Sequence, residues 1–292
     1  MKLEAISNGL GAPSVYLLWL ASQGRIPSRV SITADTGSEL DRVWSTGEKS
    51  SAEHYYRTVV EPLCNEWGIE TYFVRAETGD KTPMPSVHDY HGERVADSIL
   101  MPLFGSRGGR LSQNCTERWK IAAIKQQARR LGATQMVSAL GIHYGEAARR
   151  VKGRWLFEKD GFNYYRTAHK NRKTGDWKET KWLSHFYPLV DLRLTREQIR
   201  QELEVLNIPY LISSECDCCP HQDPARWLRH SDESIERTAN LESRYEGEYF
   251  FTRELRPLRQ VIADYKAQIA ANPTLFDKDA STFNCDAPVC DV

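Results

Sequence analysis

Two spacings of apolar residues take turns along the first part of the chain, and they predict its elements. Leu3, Ala5 and Ile6 mark a short strand, and residues 15–21 form a helix-like apolar run. A second apolar run over residues 30–34 predicts another strand. Residues 51–67 then carry Tyr55, Tyr56, Val59, Val60 and Leu63 at helical spacing, and residues 70–74 predict a third strand. Strand, helix, strand, helix, strand is the order of a parallel sheet covered by helices. Cys64 falls on the apolar side of the second helix and reads as a small buried hydrophobe.

Residues 78–94 break the pattern with Gly79, Lys81, Pro83, Pro85, His88 and His91. They predict a long polar loop of the kind that forms lids. Residues 136–140 predict a further buried strand, and residues 195–205 a helix with Thr195 as N-cap and Gln198 completing a capping box. Residues 224–271 are largely helical by pattern, with Ile235, Leu241, Leu258, Val261, Ile262 and Ile269 on the apolar face.

Residues 153–186 have another character. Trp155, Phe157, Phe162, Tyr164, Tyr165, Trp177 and Trp182 alternate with Arg154, Lys159, Arg166, Lys170, Arg172, Lys173, Lys178 and Lys181. Turn signals at Asp160-Gly161 and Thr174-Gly175-Asp176 divide them into a small antiparallel insertion of two or three strands. Rings set between cations stack bases and hold phosphates. The same residues are good strand formers with lysines on the wet face, so both readings stay open.

Composition narrows the classes. The chain has 292 residues, 40% hydrophobic and 27% charged, which suits a folded chain and argues against wholesale disorder. Its formal net charge is zero, so any site for a polyanion must be local. Neither a membrane-length apolar run nor a signal-peptide pattern is present, and no membrane partner is expected. Seven cysteines, an odd number, favour a reducing compartment and metal, cluster or thiol chemistry; the cytoplasm is the expected location.

Candidate chemistry gathers where strands end. Ser7-Asn8-Gly9-Leu10-Gly11-Ala12-Pro13-Ser14 joins a strand to a helix, an arrangement that presents backbone N–H groups to a phosphate or sulfate. An ordinary strand-to-helix turn has the same outline. Asp35-Thr36-Gly37 follows the second strand, and Gly141-Ile142-His143 follows the fourth, with Glu146, Arg149 and Arg150 beyond. Arg107 and Arg110 in a Gly-Arg stretch, with Arg118 and Lys120 on the next helix, suit a polyanion or a solvated basic turn. Cys216, Cys218 and Cys219 lie within four residues and offer thiolates to zinc or to an iron–sulfur cluster, or serve as redox thiols.

The order of these motifs resembles the phosphoadenylyl-sulfate (PAPS) reductase family over residues 2–225. The resemblance rests on Ser7-Asn8-Gly9 with Ser14, Thr33-Ala34-Asp35-Thr36-Gly37, and Arg110 with Cys115-Thr116-x-x-Trp119-Lys120. It continues through Gly141-Ile142-His143 with Glu146 and Arg149-Arg150, then Tyr187-Pro188-Leu189-Val190-Asp191, then Cys216-x-x-Cys219-Pro220. It implies an α/β fold of the adenine nucleotide α-hydrolase-like type, a Rossmann-like three-layer sandwich with a mostly parallel sheet. Residues 1–225 would form the nucleotide-binding domain, with the antiparallel insertion at 153–186. Residues 226–292 would form a helical extension and a cysteine-containing tail.

The same resemblance implies the site. Ser7, Asn8, Gly9, Gly11, Ser14, Asp35, Thr36, Gly37, Gly141, His143 and Arg149 would bind an adenine nucleotide (PAPS, APS or ATP), with Arg107, Arg110 and Lys120 neutralising its charge. Cys115, Cys216 and Cys219, with Cys218, Cys285, Cys290, His221 or an external sulfur ligand as the fourth, would hold a four-iron–four-sulfur cluster, with zinc as the alternative. Gly11-Ala12 replaces the aspartate-bearing loop of ATP-using relatives, which tilts the ligand toward a sulfonucleotide. Cys290 or Cys285 would then be the attacking thiol, a thioredoxin-like protein the reductant, and a second copy of the chain a partner. Asn114-Cys115 stands where relatives have Cys-Cys, and His143 where they have arginine. Two alternatives follow: ATP-dependent sulfur insertion into RNA or DNA, with nucleic acid on 153–186, or a nucleotide-binding partner protein without chemistry.

Overall fold

Extended, β-rich segments and glycine-bearing turns assemble the chain around one large sheet. A computed structural model describes residues 1–93, 99–150, 153–170, 176–213 and 215–272. The strands are β1 (Lys2–Ser7), β2 (Val30–Asp35), β3 (Glu70–Arg75), β4 (Gln135–Leu140), β5 (Arg154–Lys159), β6 (Phe162–Lys170) and β7 (Trp177–Phe186). They lie in the order β3-β2-β1-β4-β7-β6-β5. The five strands from β3 to β7 run parallel, while β6 and β5 are antiparallel to their neighbours. The result is a Rossmann-like α/β sandwich on a mostly parallel sheet. The antiparallel strands predicted at 153–186 do not stand apart: β7 closes the hairpin and is also the fifth parallel strand, through pairs running from Met136–Leu183 to Ala139–Phe186.

Helix α1 (Ala12–Ser22) starts at Gly11 with a proline in its first turn, where a missing N–H costs nothing. Eight of its eleven residues are buried, so it is a core helix rather than an amphipathic one. Helix α2 covers residues 52–66, α-helical at Ala52–Tyr55 and Glu61–Glu66 with a π-helical stretch at Tyr56–Val60 between. Ser51 caps it by accepting the His54 N–H. Both helices, with Ile199 and Leu203, pack on one face of the sheet against Ile6, Val137, Ala139 and Phe186. Cys64 is fully buried in that layer, and burial pushes its thiol up to about 11.

The region expected to be a long loop contains a helix, α3 (Val87–Glu93). Ser86 starts it by accepting the Asp89 N–H at 3.0 Å, a cap signal hidden among the prolines. His91 donates from Nδ1 to the Val87 carbonyl (2.6 Å) and accepts the Leu100 N–H at Nε2 (3.1 Å); His88 Nε2 meets the Arg237 carbonyl at 3.0 Å. Those rings tie backbone together rather than converge on a metal.

Helix α4 spans residues 116–130, π-helical at Thr116–Ile121 and α-helical at Ala122–Arg130. Ile124 and Ala128 cover the second face of the sheet over Leu3, Ala5, Ile32, Met136 and Leu183. Helix α5 (Arg196–Val205) carries the predicted capping box, with both reciprocal bonds present between Thr195 and Gln198. Helices α6 (Asp232–Ser243) and α7 (Leu258–Ala271) form a separate core with Trp119, Trp227, Met101 and Leu103. Cys216, Cys218 and Cys219 lie in this core, and Cys115 packs against it. No helix among the described residues is long and apolar enough to cross a membrane.

Candidate functional site

Strand order places the switch point between β1 and β4: the chain runs outward from β1 to β2 and β3 through α1 and α2 on one face, and returns to β4 through α4 on the other; ligands of open α/β sheets bind at such carboxyl ends. Here the β4 end presses on the start of α1. A Cβ on Gly141 would lie 2.9 Å from Ser14 Oγ and 3.0 Å from the Ser14 nitrogen, so only glycine fits. The turn is held by its own bonds. The Gly9 N–H donates to Ser14 Oγ (3.2 Å), the Leu10 N–H to Asn8 Oδ1 (2.8 Å), and the Ser14 N–H to the Gly11 carbonyl (2.9 Å). Leu10 adopts a left-handed φ of 62°, sustained by that Asn8 contact. Ser7 is buried and meets Ser138 Oγ at 2.5 Å across the β1–β4 pair, so its hydroxyl points into the sheet.

Asn8 ties this turn to the next strand: its N–H donates to the Ile32 carbonyl (2.9 Å) and its Nδ2 to Ser31 Oγ (3.3 Å). At the β2 end, Asp35 accepts the Gly37 N–H (2.7 Å) and is clamped through both Nε and a terminal nitrogen of Arg75, from the end of β3. Gly37 has φ 65°, and a Cβ there would lie 2.8 Å from Ser86 Cβ. Both glycines are thus dictated by backbone approach at the strand ends.

Beyond Thr36 the chain enters a buried charge network. Lys120 Nζ lies 3.5 Å and Arg42 3.8 Å from the Glu39 carboxylate, all three side chains under a tenth exposed. Asp217 accepts the Leu40 N–H (2.8 Å) and faces Arg237 at 3.4 Å; Glu215 faces Arg226 at 3.8 Å. Burial works against the Arg42 charge, but Glu39, Asp217 and Glu215 hold its guanidinium above the ordinary value. Burial raises Asp217, whereas Arg226 and Arg42 overcome the burial of Glu215 and keep it low. Four cations, Arg42, Lys120, Arg226 and Arg237, thus meet three anions, Glu39, Glu215 and Asp217, with Asp41 at the rim 3.9 Å from His230.

The cysteine turn is docked into this network. Cys216 Sγ lies 3.4 Å from Thr36 Oγ1 and 3.9 Å from Glu39 Oε1, and the Cys219 N–H closes a turn onto the Cys216 carbonyl at 3.0 Å. Cys218 is buried, and burial, with Asp217 beside it, pushes its thiol up to about 12. No group of three or more His, Cys, Asp or Glu side chains among the described residues is arranged to hold a metal ion. Cys285 and Cys290 lie outside the described residues.

Of the expected cations, only Lys120 enters the β2 end. Arg107 is exposed in the tight turn at Gly105–Gly109, and Arg110 contacts His221 Nδ1 at 3.3 Å. His143 pairs with Glu146 at 3.5 Å beside the exposed Tyr144. Arg149 belongs to the short helix Ala147–Arg150, with its side chain outside the described ones.

Sequence reasoning missed Glu39, Arg42, Arg75, Glu215, Asp217, Arg226 and Arg237. Their contacts join segments up to 177 positions apart, as at Leu40–Asp217, and nothing local marks them. The mostly parallel sheet and the helices on its two faces define a Rossmann-like α/β protein. Comparison with protein-family models, with curated proteins and with solved structures gives no match.

Proposed function

We propose that this chain binds an adenine nucleotide at the carboxyl ends of β1, β2 and β4 and reduces a sulfonucleotide of the PAPS or APS type to sulfite. The observation that carries the reading is the seating of Gly141 against Ser14 at the β1–β4 switch point, beside the Asp35–Arg75 pair. Support also comes from Cys216, whose contact with Thr36 joins a cysteine turn to the nucleotide end of β2.

In this reading a thiolate, Cys290 or Cys285, attacks the sulfur of the bound sulfonucleotide. An S–S bond forms, the O–S bond to the nucleotide phosphate breaks, and the adenine nucleotide leaves. A dithiol of a thioredoxin-like protein then attacks the enzyme sulfur, releasing sulfite and taking up the two-electron oxidation as a disulfide. No step is routed through a metal.

Thermal-shift titration tests the ligand. PAPS or APS is expected to raise the melting temperature more than ATP does, and Gly141→Ala to remove the rise while leaving the far-ultraviolet circular dichroism intact. No shift with any adenine nucleotide overturns the reading. Serine at both Cys285 and Cys290 is expected to stop sulfite release; full activity in that variant removes this mechanism. A second reading, ATP-dependent thiolation of RNA or DNA, is favoured by Trp155 and Phe157, which stand exposed on β5 beside Arg154 and Lys159. Stabilisation by ATP alone would move the assignment there.

A further inference from the structure

A cavity lies away from the carboxyl ends of β1, β2 and β4. The register places it there: Val137, third in β4, pairs with Ser184, and Ser184 pairs with Arg166. Between the amino-terminal half of β4 and the antiparallel strands is a cavity of about 160 Å³, lined among others by Lys2, Phe157, Tyr164, Arg166, Lys181 and Trp182. It has room for one planar base, not for a duplex.

Three features shape its chemistry. First, Phe186, Tyr164 and Phe157 form a column of nearly parallel rings across β7, β6 and β5, with centroids 5.0 and 4.9 Å apart and interplanar angles of 17° and 18°. An irregularity in β5 between Trp155 and Phe157 sets Phe157 opposite Tyr164. Phe157 ends the column on the edge strand and is 42% exposed, so the stack is open to one more ring. Second, the Tyr164 hydroxyl and Arg166 Nε are buried without a hydrogen-bond partner. Tyr164 itself is only 2% exposed, and burial raises its phenol to about 12, which keeps it a donor. Such groups are costly to leave unmet. Third, the rim is basic. Lys2, Arg166 and Lys181 line the cavity; Lys2 is paired with Glu4 at 3.4 Å, and Glu179 serves both Arg154 (2.9 Å) and Arg166 (4.0 Å). Cations outnumber the acids facing them, which suits a phosphate backbone.

We infer that this pocket receives an unpaired base of a single-stranded nucleic acid, stacked on Phe157, with the adjoining phosphates along Arg166 and Lys181. Stacking on a ring asks only for a free π-face, so the site takes any base but no paired one. The inference gives the nucleic-acid reading a place, and it stands whether or not the strand-end cleft takes a sulfonucleotide.

Fluorescence anisotropy of the full chain with labelled oligothymidylate, oligouridylate and a duplex of equal length tests it. Both single strands are expected to bind at about 50 mM salt and to weaken steeply toward about 200 mM, with the duplex weaker throughout. Phe157→Ala should weaken binding by about tenfold for either strand, while Phe157→Trp retains it. Lys181→Ala should lower the salt slope by about one. Unchanged far-ultraviolet circular dichroism and melting temperature show that these variants fold, and sulfonucleotide titration of the same variants keeps the strand-end reading separate. No binding at low salt, a duplex bound as tightly as the single strands, or equal affinity in Phe157→Ala overturns the proposal.

Discussion

Arg42 is the residue on which the buried network turns. It is 1% exposed, its Nε and one terminal nitrogen have no hydrogen-bond partner, and Glu39 is the carboxylate within ion-pair range. Three acids depend on it electrostatically, so its removal leaves uncompensated charge in the interior. Arg42→Met is expected to destabilise the fold by about 3–5 kcal/mol, read from urea unfolding. Arg237→Met removes a cation of the same network that is one-third exposed, and should cost about 1 kcal/mol or less. Equal costs for the two would show that burial, not charge number, was misjudged. None of this was legible in sequence. Asp217 stands between cysteines with nothing local to mark it, and only folding brings it against the Leu40 N–H. Gly141 was legible as a strand-end glycine, but its reason, contact with Ser14, is a property of two strands meeting.

Elements were read best where one signal is repeated locally. β1, β2, β3 and β4 appear where apolar positions predict them, most fully in β4, where five of six residues are buried and four of those five are apolar. The α5 cap is a four-residue signal and folds as written. Thr195→Ala is expected to cost about 1 kcal/mol in thermal or urea unfolding, while Gln198→Ala, which removes only the return bond, costs less. An unchanged midpoint in Thr195→Ala would mean that packing of Ile199 and Leu203 alone holds the helix. Elements were misread where competing signals overlap. Prolines and glycine masked the Ser86 cap of α3, and turn signals isolated 153–186 although β7 belongs to the parallel sheet. A strand's neighbours are set by crossover geometry, which no window of residues contains.

At the scale of the whole molecule, zero net charge hides an uneven distribution: charges of both signs packed together in the interior, and histidines held neutral among them. Burial, with Arg42 beside it, lowers His230 to about 4, although Asp41 and Glu215 pull the other way. Burial, with Lys125 nearby, lowers His185 to about 4, and its Nδ1 is buried without a hydrogen-bond partner. In the unfolded chain each titrates near its ordinary value of about 6.5. Between about pH 4 and 6.5 the unfolded state therefore binds more protons than the folded one, and stability falls as pH falls. From neutrality to about pH 5 each histidine accounts for roughly 2 kcal/mol of loss. Asp217 and Glu242, whose carboxyls burial raises, act in the opposite sense, so the upper part of this window is where the histidines dominate. Urea midpoints measured from pH 7 to about 5 should fall steadily, and His185→Leu should reduce the slope without abolishing it, since His230 and His91, which burial also lowers, act in the same sense. A slope the same in His185→Leu as in the parent would assign the acid sensitivity to the other buried histidines, His230 and His91, whose rings burial also lowers. The substitution leaves His230, Arg42 and Asp217 in place, so the residual slope measures what the charged interior contributes by itself.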